Sequence, residues 1–247
     1  MGQIYIPLVI IPTFNEAGSI ESLARGILNT VTREGNHPIE ILIVDDSSTD
    51  GTRDILESIG SNRIHLLVRA SKEGLGKAYL AGFKWGLERK YTHFITMDGD
   101  GSHRYEELTW LISASHNRDL VLGSRWMPGG EIINWPMRRI ILSRLGTLYA
   151  RILLGLPFTD ITGGYKIYSR WLLESIQLST IDSQGYCFQI EMVNKAYHIG
   201  ASYTEVPITF FEREYGESKM NKKIVLEAIW NVTKWGIRRI WHQDDKK

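Results

Sequence analysis

Two aspartates, Asp98 and Asp100, stand two residues apart in the glycine-bearing stretch MDGDGSH at residues 97–103. Like charges at this spacing repel each other unless a cation shares them or water screens them. Carboxylate oxygens suit Mg²⁺ and Mn²⁺, and substrate phosphates commonly complete the shell of such an ion. A lone Asp-x-Asp also occurs by chance on solvated loops, so the rest of the chain has to decide between these interpretations.

Alternating strand and helix patterns surround this stretch. Five apolar, strand-like runs lie at 8–13, 39–46, 63–69, 93–100 and 120–125. Between them lie four segments whose apolar residues recur at helical spacing, at 19–31, 47–59, 74–89 and 106–115. This order predicts an α/β fold with a mostly parallel sheet and helices on both of its faces. Ligands of such sheets bind outside the carboxyl ends of the strands. In the helix at 74–89, Gly82 and Gly86 lie four residues apart, which favours close packing on the sheet.

Three polar clusters fall at the predicted strand ends: PTFNE at 12–16, VDDSSTDGT at 44–52 and MDGDGSH at 97–103. The phosphate-loop pattern Gly-x-x-x-x-Gly-Lys-Ser/Thr is absent, and so is Gly-x-Gly-x-x-Gly after the first strand. An acidic edge without a dedicated phosphate loop favours a metal bridge to a phosphorylated ligand. The aspartates of the second cluster also suit turns and helix caps, and that alternative stays open.

Composition narrows the classes of protein. The 247 residues suffice for one sizeable domain or two fused halves, and the net charge of +1 predicts no general affinity for nucleic acid. The single cysteine, Cys187, excludes an internal disulfide and fits a reducing compartment. Apolar runs of about 18 residues are absent, and the first residues lack the basic region of a signal peptide, so we expect neither a membrane span nor secretion.

The motifs, taken together and in order, resemble those of family-two glycosyltransferases with the GT-A fold. IPTFNE, VDDSSTDGT, EGLGKA, MDGDGSH and GSR resemble the half that binds the nucleotide sugar. NWPMRRIILSRLG, DITGGYK, GYCFQIE and EVPITFFEREYGESK resemble dolichyl- or polyprenyl-phosphate mannose synthases of the short form without transmembrane segments. The resemblance covers about residues 6–219. It implies transfer of mannose from GDP-mannose to a polyprenyl (dolichyl) phosphate, with inversion and with Mg²⁺ or Mn²⁺.

The resemblance also implies one catalytic domain over residues 1–247. Its nucleotide-sugar half would span about 1–125, its acceptor half about 126–219, and a C-terminal amphipathic helix about 222–241.

Individual residues receive roles from the same resemblance. The metal ligands would be Asp98 and Asp100, together with Ser102 at a position that is Gln in some members. Arg139 and Ser143 match positions that bind the acceptor phosphate, and Arg213 would act in catalysis beside the two aspartates. The nucleotide sugar would be held by a larger set: Pro12, Phe14 (often Tyr in the family), Glu16, Val44, Asp46, Asp98, Gly99, Asp100, Arg125, Arg213 and Lys219.

Two segments bear on a lipid substrate. Within 138–153, seven apolar residues share one helical face, while Arg139 and Ser143 lie one turn apart on another stripe with small residues. A cation and a hydroxyl beside a groove suit a phosphate. The stretch 222–241 is apolar around nearly all of its helical circumference and contains three tryptophans. Its one narrow polar stripe consists of Lys223, Glu227, Asn231, Lys234 and Arg238. This pattern predicts contact with a membrane interface or a membrane-protein partner, with burial in a groove of its own domain as the alternative. We therefore expect a cytoplasmic enzyme at the membrane surface.

Other functions remain open at this point. The same fold could transfer glucose from UDP-glucose, because Asp46 would contact a base in either case. A nucleotidyltransferase would usually carry a glycine-rich basic segment where this chain has PTFNE. A non-catalytic sugar-nucleotide-binding subunit would be expected to lose the metal carboxylates, and both are present. We expect no general base, because a phosphate monoester with a second pKa of ~6 is already anionic near neutral pH.

Overall fold

The computed structural model describes residues 5–30, 38–212 and 222–244. The strands are β1 (Pro7–Thr13), β2 (Glu40–Asp45), β3 (Ile64–Val68), β4 (His93–Thr96), β5 (Leu120–Ser124), β6 (Glu131–Ile133), β7 (Lys166–Ser169), β8 (Tyr203–Pro207) and β9 (Thr209–Phe211). The α-helices are α1 (Ile20–Asn29), α2 (Thr52–Ile59), α3 (Leu75–Leu87), α4 (Leu108–Ser115), α5 (Met137–Leu154), α6 (Arg170–Ser175), α7 (Gly185–His198) and α8 (Lys222–Asp244), and short 3-10 turns lie at Tyr105–Glu107 and Leu178–Thr180.

Seven strands form one sheet in the order β3-β2-β1-β4-β7-β5-β8. The first four pair in parallel, as the alternating sequence pattern predicts, and β5 pairs in parallel with β8. The sequence did not predict β7, which enters antiparallel between β4 and β5. Its entry brings the preceding turn to the end of β4, where the Thr96 hydroxyl donates to the Gly164 carbonyl at 2.6 Å. A second, small sheet pairs β6 with β9.

Two glycines let α3 lie close on the sheet. A Cβ atom at Gly82 would stand 2.6 Å from the Ile10 side chain, and one at Gly86 would stand 2.5 Å from the Phe94 ring. Both distances are well inside van der Waals contact, so the predicted close packing is confirmed. The helix is thereby held with its first turn at the carboxyl edge of the sheet.

The core lies on both faces of the sheet. Successive residues of β1 belong to opposite faces, with Leu8 and Ile10 in one cluster and Val9 and Ile11 in the other. Val44 of β2 is fully buried in the first cluster. The pleat of the strand therefore turns its side chain into the core, and the predicted place of Val44 beside the nucleotide stays a prediction.

Helix α8 packs against α5 and α7. Val232 is buried in this contact, and Gly236 lies against Leu153 so closely that a Cβ there would stand 3.1 Å from it. Within the described residues, the helices lack the combination of length and apolar character that crossing a bilayer requires.

Candidate active site

A cavity of about 480 Å³ lies at the carboxyl edge of the sheet. Residues after β1 and β4 form one wall, which confirms that the first and third polar clusters converge. The connection between β3 and α3 forms a second wall, and the turn before β7 together with the start of α7 closes the far side. The lining residues are Pro12, Glu16, Lys72, Glu73, Gly74, Leu75, Asp98, Gly99, Asp100, Arg125, Arg139, Thr162, Gly163, Gly164, Gln184, Gly185, Tyr186, Gln189 and Phe210.

The second polar cluster braces this edge. Asp45 accepts a hydrogen bond from the Thr13 hydroxyl at 3.0 Å, and Asp50 accepts one from the Ala17 N–H at 2.9 Å. Asp50 also accepts from the Thr52 N–H at the start of α2, at 3.1 Å. The turn interpretation is therefore confirmed for these two aspartates, whose carboxylates tie the ends of β1 and β2 and the loops after them together.

Asp46 and Phe14 were both predicted to contact the nucleotide, and they meet cations of the β3–α3 connection. Asp46 forms an ion pair with Arg69 at 3.0 Å, and burial raises the pKa of this carboxyl although Arg69 opposes the shift. The Lys72 ammonium lies 3.8 Å from the centroid of the Phe14 ring, in a cation–π contact. Lys72 itself lines the cavity.

The aspartate pair that opened the sequence analysis lies in the loop after β4. The Tyr79 hydroxyl donates to Asp98 Oδ1 at 3.3 Å, and the Asp98 N–H donates to His103 Nδ1 at 3.1 Å. Ser102 is 2% exposed, and its N–H donates to Asp100 Oδ1 at 3.1 Å. The predicted third ligand, Ser102, does not line the cavity and instead orients the Asp100 carboxylate.

The donor set at Asp98 and Asp100 fits a hard divalent cation. In the described parts of the chain, His, Cys, Asp and Glu form no group of three or more that could hold a metal. Mg²⁺ commonly binds through one or two carboxylates and completes its shell with substrate phosphates and water. Two aspartates that line a cavity large enough for a diphosphate match that type of site, for Mg²⁺ or for Mn²⁺.

Arg125 is 4% exposed and is held by Asp160, a residue to which the sequence analysis gave no role. Its Nε and Nη2 donate to the two oxygens of that carboxylate at 2.6 and 2.9 Å. Burial alone would raise the pKa of Asp160, but the guanidinium outweighs it and lowers the pKa. The pair fixes the turn before β7, and Arg125 still reaches the cavity wall.

A second cavity, of about 320 Å³, opens beside the first between α5 and α8, and we call it the groove. Its walls are mostly apolar, and Arg139, Thr162 and Tyr186 line both cavities. The predicted polar stripe of α5 faces the groove. It consists of Arg139, Ser143, Gly146 and Ala150, all of which line it.

Arg139 meets an anion of the protein itself. Its Nη1 donates to Glu212 Oε1 at 2.5 Å and to Oε2 at 2.7 Å, and its guanidinium stacks 3.8 Å from the Trp135 ring centroid. Glu212 directly follows β9, and its pairing with Arg139 was not visible in the sequence because the two residues lie 73 positions apart. Where the guanidinium was predicted to bind a phosphate, it binds a carboxylate.

Beside the groove, α5 and α8 expose large apolar side chains. Ile152 is 68% exposed, Trp230 is 70% exposed and Trp241 is 72% exposed. Further exposed apolar side chains of these two helices are Ile141, Leu142, Leu145, Leu148, Leu226, Ile229 and Ile237.

Part of the polar stripe of α8 faces the protein instead of solvent. Glu227 accepts from the Gln184 N–H at 3.1 Å, and Asn231 contacts Cys187 Sγ at 3.5 Å. Lys234 and Arg238 of the same stripe remain exposed. The helix is therefore packed on one side and apolar on its open side, which decides against full burial in its own domain.

The remaining predicted site residues, Arg213 and Lys219, lie outside the described residues. Two further residues received no role in the sequence analysis, namely Gln189 of α7, which lines the cavity, and Lys166 of β7, which donates a hydrogen bond to Gln189. They belong to the motifs DITGGYK and GYCFQIE, and their resemblance to family motifs was the available signal.

Comparison with known proteins agrees with this geometry. The model of the family "Glycosyl transferase family 2" matches residues 8–177. An undecaprenyl-phosphate mannosyltransferase of Micrococcus luteus is 48% identical over 236 residues, which cover 95% of each chain. A polyprenol monophosphomannose synthase of Mycolicibacterium smegmatis is 47% identical over 235 residues, covering 94% of this chain and 87% of the relative.

Solved structures support the fold. Glucosyl-3-phosphoglycerate synthase from Mycobacterium tuberculosis, in complex with Mg²⁺ and UDP, superposes with a TM-score of 0.68 at 16% identity, covering 93% of this chain and 80% of that one. The complex of that enzyme with Mn²⁺, UDP-glucose and phosphoglyceric acid gives a TM-score of 0.67 at 17% identity, over 92% and 80%. The chain therefore belongs to glycosyl transferase family 2 and is a glycosyltransferase related to the polyprenyl-phosphate mannose synthases.

Proposed function

We propose that this enzyme transfers mannose from GDP-mannose to a polyprenyl phosphate, with inversion and with the help of Mg²⁺ or Mn²⁺. The observation that carries the proposal is the junction at Arg139, where an apolar groove opens into a cavity with an acidic wall. A lipid phosphate needs both environments side by side. The names of the two relatives, a mannosyltransferase and a monophosphomannose synthase, support mannose as the sugar.

On the donor side, Asp98 and Asp100 would hold the metal, and Glu16, Gly99 and Arg125 would line the space for the nucleotide sugar. The bound metal supplies a positive charge that offsets the charge on the departing nucleoside diphosphate. The nucleobase would lie towards Phe14 and Asp46. A structural neighbour binds UDP-glucose, but at 17% identity the similarity supports the fold alone. Polyprenyl-phosphate glucose synthesis from UDP-glucose is therefore the alternative.

On the acceptor side, the prenyl chain would lie in the groove with its phosphate at Arg139 and Ser143. A phosphate oxygen attacks the anomeric carbon from the face opposite the diphosphate, so the new carbon–oxygen bond forms as the old one breaks and the configuration inverts. With a second pKa of ~6, the phosphate monoester needs no base near neutral pH. Positioning and charge stabilisation then supply most of the catalysis, with Arg213 in a catalytic role and Lys219 near the phosphates.

The exposed apolar faces of α5 and α8 would rest on a lipid bilayer. Trp230 and Trp241 suit the interface between headgroups and acyl chains, and the exposed Lys234 and Arg238 suit anionic headgroups. Both helices border the groove, so a prenyl chain could enter it directly from the membrane. We therefore propose a single catalytic unit that sits peripherally on the cytoplasmic face. A membrane-protein partner in place of lipid is the alternative occupant of this surface.

A transfer assay tests the proposal. Purified enzyme is mixed with undecaprenyl phosphate in detergent, MgCl₂ and GDP-mannose carrying a radiolabel in the sugar, and the lipid is extracted into organic solvent. We expect label in the lipid phase that requires the metal and the acceptor phosphate, because undecaprenol without phosphate lacks the nucleophile. NMR of the product should show the β-mannosyl configuration. Transfer from UDP-glucose but not from GDP-mannose would favour the alternative, and transfer from neither would overturn both.

A further inference from the structure

A buried lysine lies behind a glutamine of the cavity wall. Lys166 lies at the start of β7 and is 1% exposed, and Gln189 lies on α7 and is 2% exposed. The Lys166 Nζ donates to the Gly163 carbonyl and to Gln189 Oε1, the latter at 2.8 Å. Gln189 lines the cavity that contains Asp98 and Asp100. None of the steps proposed above uses this pair.

The lysine determines which way the glutamine amide points. Burial lowers the pKa of Lys166 to about 7, yet Nζ carries at least two hydrogens whether or not it is protonated. The Gly163 carbonyl takes one hydrogen and Gln189 Oε1 takes the other, so the amide oxygen is held against the lysine. The amide nitrogen, Nε2, is then the end of the side chain that is left for another partner.

Gln189 Nε2 has no hydrogen-bond partner among the described residues, although it is buried. Buried polar atoms in native proteins are nearly always paired, so an orphan on a cavity wall indicates a ligand. On the same wall, Gln184 presents Oε1, which also has no hydrogen-bond partner within the described chain. A donor and an acceptor that line one cavity suit sugar hydroxyls, because each hydroxyl both donates and accepts.

The position of the pair relative to the metal carboxylates agrees with a sugar site. Gly164 links the two, since it precedes Lys166 by two residues and a Cβ atom there would stand 3.1 Å from Asp98 Oδ1. A diphosphate held through Asp98 and Asp100 would place the attached sugar within the same cavity. The bare glycines Gly163 and Gly164 leave room for it on this side.

We propose that Gln189, oriented by Lys166, determines sugar specificity by donating a hydrogen bond from Nε2 to a hydroxyl of the transferred hexose. This inference rests on the proposed function, because it assumes a nucleotide sugar in the cavity. Lys166 acts on the sugar through Gln189 and is a positioning residue.

A substrate–enzyme double-mutant cycle tests the inference. The affinities of GDP, GDP-mannose and its 2-, 3-, 4- and 6-deoxy analogues are measured by calorimetry with Mg²⁺, for the wild type and for Gln189→Met. In the wild type, we expect at least one analogue to bind roughly 3- to 10-fold more weakly than GDP-mannose, the loss typical of one neutral hydrogen bond. In Gln189→Met, that particular penalty should disappear, while the affinity for GDP stays unchanged.

Matched variants separate this role from a structural one. Gln177→Met changes an exposed glutamine outside the cavity and should keep the wild-type pattern of analogue affinities. Lys166→Met should reduce the same penalty as Gln189→Met, because the amide is no longer held. If Gln189→Met binds no GDP, Gln189→Asn replaces it, since the shorter amide keeps its polarity but cannot reach the same hydroxyl.

Two results would overturn the inference: equal analogue penalties in the wild type and the Gln189 variants, or an equal loss of affinity for GDP and GDP-mannose. Failure of the proposed function would look different, because the wild type itself would then not bind or use GDP-mannose. In that case the same cycle with UDP-glucose and its deoxy analogues decides the role of Gln189 independently.

Discussion

The ion pair between Arg139 and Glu212 leads to a specific kinetic prediction. In the proposed reaction, the acceptor phosphate binds the same guanidinium that now donates to both oxygens of Glu212. Phosphate binding therefore requires that the carboxylate be displaced. Replacing Glu212 with Gln keeps the size of the side chain, removes its charge and weakens the competitor.

The magnitude follows from the burial of the pair. The Arg139 side chain is 16% exposed and that of Glu212 is 31% exposed. Hydrogen bonds to charged groups contribute roughly 1.5–3 kcal/mol, whereas exposed ion pairs contribute about 0–1 kcal/mol. A partly exposed pair lies between these ranges, so we take about 1 kcal/mol, which corresponds to about a fivefold change in an equilibrium constant. Glu212→Gln should therefore lower the KM for the acceptor about fivefold.

Steady-state kinetics with each substrate varied in turn provide the assay. Glu212→Gln should leave the KM for GDP-mannose near the wild-type value, because the displaced contact concerns the acceptor alone. Arg139→Ala should act in the opposite direction and raise the acceptor KM by roughly ten- to a hundredfold, because it removes a charge-assisted contact. Glu131 lies on β6, which pairs with β9, the strand that Glu212 follows. Glu131→Gln removes an exposed charge there and serves as the control for long-range electrostatics.

A rise in the acceptor KM of Glu212→Gln would refute this reasoning, because Glu212 would then support acceptor binding. An equal change in both KM values for Arg139→Ala would remove Arg139 from the acceptor site. If Glu131→Gln lowered the acceptor KM as much as Glu212→Gln, the effect would come from net charge and not from the ion pair.

Three further predictions concern the metal, the buried lysine and the membrane surface. Asp98→Asn or Asp100→Asn should nearly abolish transfer while the melting temperature without ligand stays unchanged. In these variants, the shift in melting temperature caused by GDP with Mg²⁺ should shrink. Wild-type turnover in the double variant would contradict the metal role. Because burial lowers the pKa of Lys166 from 10.5 to about 7, the unfolded chain binds more protons between these values, so the free energy of unfolding should rise with pH across that window. Lys166→Met should flatten that rise in urea titrations, and a parallel pH dependence in both proteins would refute it. Changing Trp230 and Trp241 together to Ser should weaken co-sedimentation with anionic lipid vesicles but preserve turnover of a short-chain acceptor in detergent, and unchanged co-sedimentation would place the membrane contact elsewhere.

Much of the fold was predictable because its signals are local. The alternation of apolar runs with helical periodicity predicted the parallel strands β1 to β4, and the carboxyl-end rule then brought PTFNE and MDGDGSH together. Gly82 and Gly86 indicated close helix–sheet packing, since only the lack of a side chain permits such an approach. The wheel pattern of α8 likewise showed apolar surface in excess of what one packed face needs.

The sequence by itself therefore determined the order of the elements from β1 to β5, the acidic edge and the family. Only the tertiary structure decided which distant residues meet. The antiparallel entry of β7 sets Gly164 and Lys166 against the end of β4, and the packing of α8 on α5 forms the groove. The contacts of Lys166 with Gln189 and of Arg139 with Glu212 span 23 and 73 positions. Such pairings leave no periodic trace in a single sequence, because they depend on where the chain returns and not on the residues beside them.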